Sequence, residues 1–431
     1  MTRWPAALLL LAPAVVHAQD TSRVESGVRV GITYAPGSRP TIVVVAPSPR
    51  AVAIDSVRAI VERDLAYSDR FEVLDRQGAD DPAAAAARGQ LARSSQYVVN
   101  VSEEGPGARV AAMSAGDGRT AWSGVVTVAG ANAATLRRRA HLASDAVVRA
   151  ITGEPGIAST ALLFVRDGRI WRVDADGYGP REVPSAGNPA LSPAWASDGR
   201  RFAYTAYVRG GEPIVIQDLA SGAREVVPGT EDGLNITPAF SPDGRRLAFA
   251  HGTEAGTDIY LYDVARRCCT ERLTVSRAGD NLSPTWSPDG ARIAFVSSRG
   301  SIPQLYVMAS DGTGQDVLAR YDFGATGQST APAWSPDGQF VAFQRDVGGD
   351  PQVFVVEVGT GALRQLTGAG RNEDPTWAPD GRHLAFVSSR TGTRELWIID
   401  LETGRLRQLT RLGGTRLPDW SPQPPSLEGR E

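Results

Sequence analysis

Pro284-Thr285-Trp286-Ser287-Pro288-Asp289-Gly290, followed by Arg292-Ile293-Ala294-Phe295-Val296, is the stretch from which the fold is read. Ser at the first turn position, Pro at the second and Gly at the fourth match a type I turn. The turn separates one strand, ending at Trp286, from a second in which Ile293 and Phe295 share a face. A third strand follows at Gln304-Leu305-Tyr306-Val307-Met308, then a turn at Ser310-Asp311-Gly312 and a fourth strand near Val317. One copy of the pattern is therefore a four-stranded antiparallel sheet.

The same signature places aromatic residues at Trp195, Phe240, Trp286, Trp334, Trp377 and Trp420, with spacings of 45, 46, 48, 43 and 43 residues. Such a period is that of a propeller blade. The last copy, Asp419-Trp420-Ser421-Pro422, lacks its remaining strands. Matching strands stand ahead of the first complete copy, as Ala161 to Val165, Ile170 to Asp174 and Glu182-Val183. Joining the two ends in one blade seals a ring and removes an exposed sheet edge. A linear solenoid needs capping repeats instead, and the sequence offers none. The expected fold is an α+β N-terminal domain followed by a six-bladed all-β propeller, closed by strands from both ends.

Outward from the repeat, residues 37–152 read as a small α/β domain. Ile42 to Ala46 forms an apolar run, and Ile54, Val57, Val61 and Leu65 fall at helical spacing. Strands are expected at Phe71 to Leu74, Tyr97 to Val101, Arg109 to Met113 and Ala121 to Val128. Helices are expected over the alanine-rich stretch 82–93 and from about Ala133. Residues 153–160 form the linker, 161–423 the propeller and 424–431 a tail. Arg3, the apolar run Ala6 to Val16 and Val16-His17-Ala18 have the three parts of an export signal, expected to end at residue 18. Residues 19–36 then form the mature N-terminal segment. The apolar run is shorter than the ~20 residues that span a bilayer.

Charge is nearly balanced, with 45 basic against 48 acidic residues. That lacks the basic excess expected of a nucleic-acid binder. Every basic residue is arginine, which excludes the Walker phosphate loop, Schiff-base chemistry and the Ser-x-x-Lys nucleophile. Cys268 and Cys269 are adjacent and lack CxxC spacing, so they read as a hairpin feature without redox function.

In such a blade the tight first-to-second and third-to-fourth turns share one side of the ring. The longer second-to-third loops and interblade connections share the other. The front domain enters at the start of a second strand, which places it on the tight-turn side and leaves the long-loop face free. Loops on a rigid scaffold are the usual place for binding residues. The candidates at the channel mouth are Asn235, Thr237, Asn281, Ser283, Gln328, Thr330, Asn372, Asp374 and Arg416, with Arg299 and Arg390 further out. A peptidase reading requires a Gly-x-Ser-x-Gly elbow, which does not occur. Beyond the leader the histidines are His141, His251 and His383, in separate elements, so no catalytic residue, metal or cofactor is expected. The alternative is a propeller enzyme or a saccharide binder that uses the central channel.

The repeat, the strand exchange and the front domain together resemble the TolB family, the periplasmic propeller component of the Tol–Pal system. The least generic matches are Val61-Glu62-Arg63-Asp64-Leu65, Phe71 to Arg76, His141-Leu142-Ala143-Ser144-Asp145 and Asp176-Gly177-Tyr178. The resemblance implies a monomeric periplasmic scaffold. It implies that the free propeller face binds a Pal-like peptidoglycan-associated lipoprotein, in support of outer-membrane integrity and constriction at cell division. It also implies that the N-terminal segment engages a TolA-like inner-membrane protein. That segment maps onto about Val28 to Tyr34, where Val28, Val30 and Ile32 alternate as strand addition to a partner's sheet needs. Thr33 stands where the family carries an acidic residue, and Leu234 where it often carries His.

Overall fold

The computed structural model of the chain describes residues 39–46, 51–74, 95–275, 279–319 and 327–424. The expected leader, the segment with Val28, Val30 and Ile32, and the helix over 82–93 lie outside the described residues.

In the front domain, β1 (Thr41–Val45) pairs in parallel with β2 (Glu72–Val73) and with β3 (Tyr97–Glu104). The meander β3, β4 (Gly107–Ser114) and β5 (Thr120–Thr127) completes a sheet of order β2-β1-β3-β4-β5. Helix α1 (Val52–Tyr67) buries Ile54, Val57, Val61 and Leu65, one stripe at a 3.6-residue period. Helix α2 (Ala133–Thr152) packs Ala140, Ala143 and Val147 into the same core as Val44, Val99 and Val101. The ends of α2 are set locally. The Asn132 side chain accepts the Thr135 N–H at 2.8 Å, and Gly153 closes the helix in a left-handed conformation at φ 79°.

The propeller follows as six four-stranded sheets among the described residues. Blades 1 to 5 begin with the strands Ala190–Trp195, Leu234–Phe240, Asn281–Trp286, Ser329–Trp334 and Asn372–Trp377. Blade 6 combines Arg416–Trp420 with Ala161–Arg166, Arg169–Asp174 and Arg181–Glu182. There Trp420 pairs with Leu162, its indole N–H donates to Thr160 Oγ1 at 2.8 Å, and Ser421 Oγ accepts the Ala161 N–H at 3.0 Å.

The turn chemistry is local and repeats. Ser287 Oγ donates to Asp289 at 2.5 Å and accepts the Arg292 N–H at 2.9 Å, while Asp289 accepts the Ala291 N–H at 3.0 Å. Ser241 with Asp243 and Ser335 with Asp337 make the same hydroxyl-to-carboxylate bond. Two of the signature tryptophans tie one blade to the next. The indole N–H of Trp286 donates to the Ala239 carbonyl at 3.1 Å, and that of Trp377 to the Ala333 carbonyl at 3.0 Å. Cys268 and Cys269 are disulfide-bonded at the third-to-fourth turn of blade 2, with Cys269 in a bulge at φ 63°.

Candidate functional site: the long-loop face and the channel

The first strand of each blade runs from the long-loop face toward the tight turn, so its opening residues ring the mouth. Five residues ahead of the signature aromatic stand Asn235, Asn281, Ser329 and Asn372, all 0–1 % exposed. Each holds a side chain from its own blade's second strand or the loop beyond. Asn281 Oδ1 accepts from Arg299 at 3.0 Å and Asn372 Oδ1 from Arg390 at 3.0 Å. Ser329 Oγ accepts from Arg345 at 3.1 Å, and Asn235 Oδ1 lies 2.7 Å from His251 Nδ1. The held cation or ring in turn lies on an aromatic of the third strand: Arg299 over Tyr306 at 4.7 Å, Arg390 over Trp397 at 4.8 Å, His251 edge-on to Tyr260 at 5.0 Å. The unit is a buried amide or hydroxyl, an arginine or histidine, and a ring. It fixes the loops through hydrogen bonds and cation–π contact.

This corrects three of the expected contact residues. Asn235, Asn281 and Asn372 do not face solvent, because the donors and acceptors of the loops around them need partners inside the blade. Asn372 donates to Gln352 at 2.8 Å and to the Ala369 and Gly370 carbonyls, besides accepting from Arg390. Asn372→Ala is therefore expected to destabilise the protein by about 1–3 kcal/mol, through buried groups left unsatisfied. Thermal denaturation checks it, with Arg411→Glu on the exposed rim expected to leave the midpoint unchanged.

Three residues ahead of the aromatic, the first strand bulges. Ser192, Thr237, Ser283, Ala331, Asp374 and Leu417 all adopt left-handed φ between 50° and 52°, and all line a central cavity of about 490 Å³. No glycine is used, so the conformation costs energy at every blade and persists because neighbours hold it. The holding groups come from the adjacent blade. Thr237 Oγ1 accepts the Ser283 N–H at 3.1 Å, and Asp374 Oδ2 accepts the Leu417 N–H at 3.0 Å. Asp419 Oδ2 accepts the Trp195 N–H at 2.6 Å across the join between blades 6 and 1.

Thr237, Ser283 and Asp374 thus line the channel, as expected from the sequence. Thr330 and Arg416 stand one residue before the lining position, which is Ala331 or Leu417 in those blades, and exposed Gln328 lies further out. A backbone bulge and not side-chain polarity defines the lining position, so the polar neighbours Thr330 and Arg416 stand out of register with it. Burial, reinforced by Glu373, pushes the Asp374 carboxyl up to about 6. Burial pushes Asp419 up to about 7. The channel therefore loses negative charge as pH falls below neutral.

The front domain meets the opposite, tight-turn side. Asp69, after α1, receives Arg382 on its carbonyl at 2.8 Å and Arg405 on its carboxylate at 2.9 Å, with His383 Nε2 3.3 Å away. Arg382 also forks onto Asp400 at 2.7 and 2.6 Å. A second cluster joins Asp176 of blade 6 to Arg63 and Arg137, both at 2.5 Å, beside the His141–Asp64 pair at 2.7 Å. Asp145 clamps the linker by accepting the Ala158 and Ser159 N–H groups at 2.8 and 2.9 Å. Gly156 is required there, since a Cβ would stand 2.3 Å from the Asp145 carboxylate.

Asp64–His141–Asp176 and Asp69–His383–Asp400 have the composition of metal sites. Arginine guanidinium groups already occupy Asp176 in the first and Asp69 and Asp400 in the second, so an added cation meets like charge, while Asp64 is held by His141 and Ser144. They are better described as ionic joints between domains. Distant segments that sequence reading singled out, around Arg63-Asp64, His141 to Asp145 and Asp176, converge here.

The model of the TolB beta propeller domain matches residues 148–322 and 323–427. The chain is 33% identical over 251 residues to the Tol-Pal system protein TolB of Methylococcus capsulatus, covering 53% of this chain and 55% of that one. It is 37% identical over 105 residues to the protein of the same name from Xylella fastidiosa, covering 22% and 24%. The aligned part of the chain thus spans about half the first relative and a quarter of the second. The crystal structure of TolB from Acinetobacter baumannii superposes with a TM-score of 0.74 at 27% identity, over 89% of this chain and 97% of that one.

Proposed function

This chain belongs to the TolB β-propeller family, and from that premise we propose that it is a periplasmic protein-binding scaffold of the Tol–Pal system. The long-loop face receives a Pal-like peptidoglycan-associated lipoprotein, and the N-terminal region engages a TolA-like inner-membrane protein. In this reading the protein performs no catalysis and supports outer-membrane integrity and constriction during division. Thr237, Ser283, Asp374, Thr330, Gln328 and Arg416 are the proposed propeller contacts, and Val28, Val30 and Ile32 the proposed N-terminal ones. The observation that carries the reading is the position of the front domain. Asp69 and Asp176 lock it to the tight-turn side, so that its described residues leave the face with the preorganised loops uncovered.

Calorimetric titration of the mature chain with the soluble domain of the lipoprotein from the same bacterium tests this. Saturable binding is expected, as is loss of capture of the inner-membrane protein after deletion of residues 19–34 with the melting temperature retained. Retention on murein alone, without lipoprotein binding, favours the saccharide reading and removes the scaffold.

A further inference from the structure

Propeller faces have a degeneracy that a binding site must resolve. In blades 2 to 5 the mouth repeats the same unit of buried amide or hydroxyl, arginine or histidine, and ring. A guest that contacts this unit alone finds similar partners on rotation from any one of these blades to the next. Something unequal has to select one orientation, and the inequality on this face is its charge.

The loops of blade 5 and of the connection into blade 6 carry Arg371, Arg390, Arg394, Arg411 and Arg416. All but half-buried Arg390 are exposed. Glu373 bridges Arg371 and Arg394, at 3.2 and 3.0 Å. Among the described residues no carboxylate lies within 4.0 Å of Arg390, Arg411 or Arg416. Arg390 is fixed by neutral groups only, Ser388 Oγ at 2.9 Å and Asn372 Oδ1 at 3.0 Å. The sector is therefore a set of positioned cations with charge to spare.

Blade 2 lies opposite blade 5 in a ring of six. Its long loops and the connection into blade 3 expose Glu231, Asp232, Glu254 and Asp280. Among the described residues the polar partners of these side chains are backbone amides: Gly229 N–H on Glu231 at 2.7 Å and Thr257 N–H on Asp280 at 3.0 Å. The connection 227–233 and the hairpin end 251–257, whose turn is Glu254-Ala255, contain no arginine. Among the described residues of these connections the one titratable cation is His251, whose pKa burial lowers; Arg277, in the connection into blade 3, lies outside the described residues. One edge of the face is basic and the facing edge is acidic.

We propose that this polarity orients the guest: it presents a carboxylate-rich surface to the Arg390–Arg394–Arg411–Arg416 sector and a basic or neutral one to the Glu231–Asp232–Glu254 sector. The inference rests on the long-loop face being the guest site and adds which way round the guest sits. Charges at the rim act on the encounter before contacts form, so they set the association rate and its salt dependence more than the final affinity.

The test uses the full mature protein with the lipoprotein's soluble domain as probe. Association is followed by stopped flow at about 0.01 M and about 1 M ionic strength, where Debye lengths are about 30 and about 3 Å. Arg394→Glu with Arg411→Glu, and separately Glu231→Arg with Glu254→Arg, should each slow association about tenfold at low ionic strength and little at high. These residues are exposed, so folding is expected to survive, and melting curves check it. Orientation is read with a photoreactive residue, Thr391→p-benzoylphenylalanine or Ala255→p-benzoylphenylalanine. On the native face the two positions should label different segments of the guest. With both charge reversals present, each should label both. Unchanged rates, or the same mixed labelling on the native face, overturn the proposal. If the lipoprotein domain does not bind, the Tol–Pal reading fails separately, and a glutamate decapeptide decides the polarity. It should bind the native protein about tenfold more tightly than the Arg394→Glu/Arg411→Glu protein at low ionic strength, and equal affinity overturns the proposal.

Discussion

Trp420→Ala is expected to destabilise the propeller by about 3–5 kcal/mol, and truncation after Thr415 to abolish its cooperative unfolding transition. Trp420 is 5 % exposed and packs with Leu162, Phe164, Ala385 and Leu396, side chains from blades 6 and 5. It also holds the seam, through Thr160 on one side and Thr376 on the other, whose Oγ1 accepts the Trp420 N–H at 3.2 Å. The loss is comparable to the whole stability of many domains, about 5–15 kcal/mol. Removing the strand also strips Ala161–Arg166 of its partner and leaves that strand as an unpaired inner edge of blade 6. Trp286→Ala is the control. That residue is 6 % exposed in blade 3, so its packing loss is similar, yet it lies away from the seam. Denaturant titration followed by circular dichroism distinguishes them, and a truncated protein that unfolds like the intact one contradicts the closure.

The second large effect depends on pH. Burial alone lowers the pKa of His383, but Asp380 at 2.7 Å and Asp69 at 3.3 Å outweigh it and hold the ring raised to about 9. The unfolded value is near 6.5. The folded state thus binds the proton more tightly, so this contribution is complete below about pH 6.5 and disappears as pH rises through 9. Its size is on the order of 3 kcal/mol. His383→Gln cannot carry the charge. Its stability deficit against the native protein should be greatest at pH 6 and shrink steadily toward pH 10. Stability difference against pH, from chemical denaturation, is the measurement; a deficit that does not change with pH means that His383 is neutral at the joint.

How far these features could be read in advance follows from the range of the interactions. The Ser-Pro-Asp-Gly turns close through bonds within five residues, so each copy announces itself, and the spacing of the aromatics follows from one large ring per blade core. The same holds for Ile54, Val57, Val61 and Leu65, where a single period marks the buried face of α1. The joint was not legible. Asp69 and Arg382 meet across 313 residues, and no local pattern around either predicts the other. The mouth lies between these cases. Its residues were found within a few positions, but Asn235, Asn281 and Asn372 look in sequence like solvated loop polars and are buried hubs. The lining of the channel is hidden for a different reason: non-glycine residues in left-handed backbone leave no sequence mark, so nothing local singles out Ala331 or Leu417.

Hydrogen exchange of the mature protein, alone and saturated with the lipoprotein's soluble domain, tests most directly which side of the disc receives the guest. Slower exchange is predicted at the second-to-third connections, the hairpin turns 254–255 and 348–349 and the loops 298–303 and 389–394, with the turns at 241–244, 287–290 and 378–381 unchanged. Protection of those turns with the long loops unaffected would place the guest on the side held by the front domain, and contradict the account.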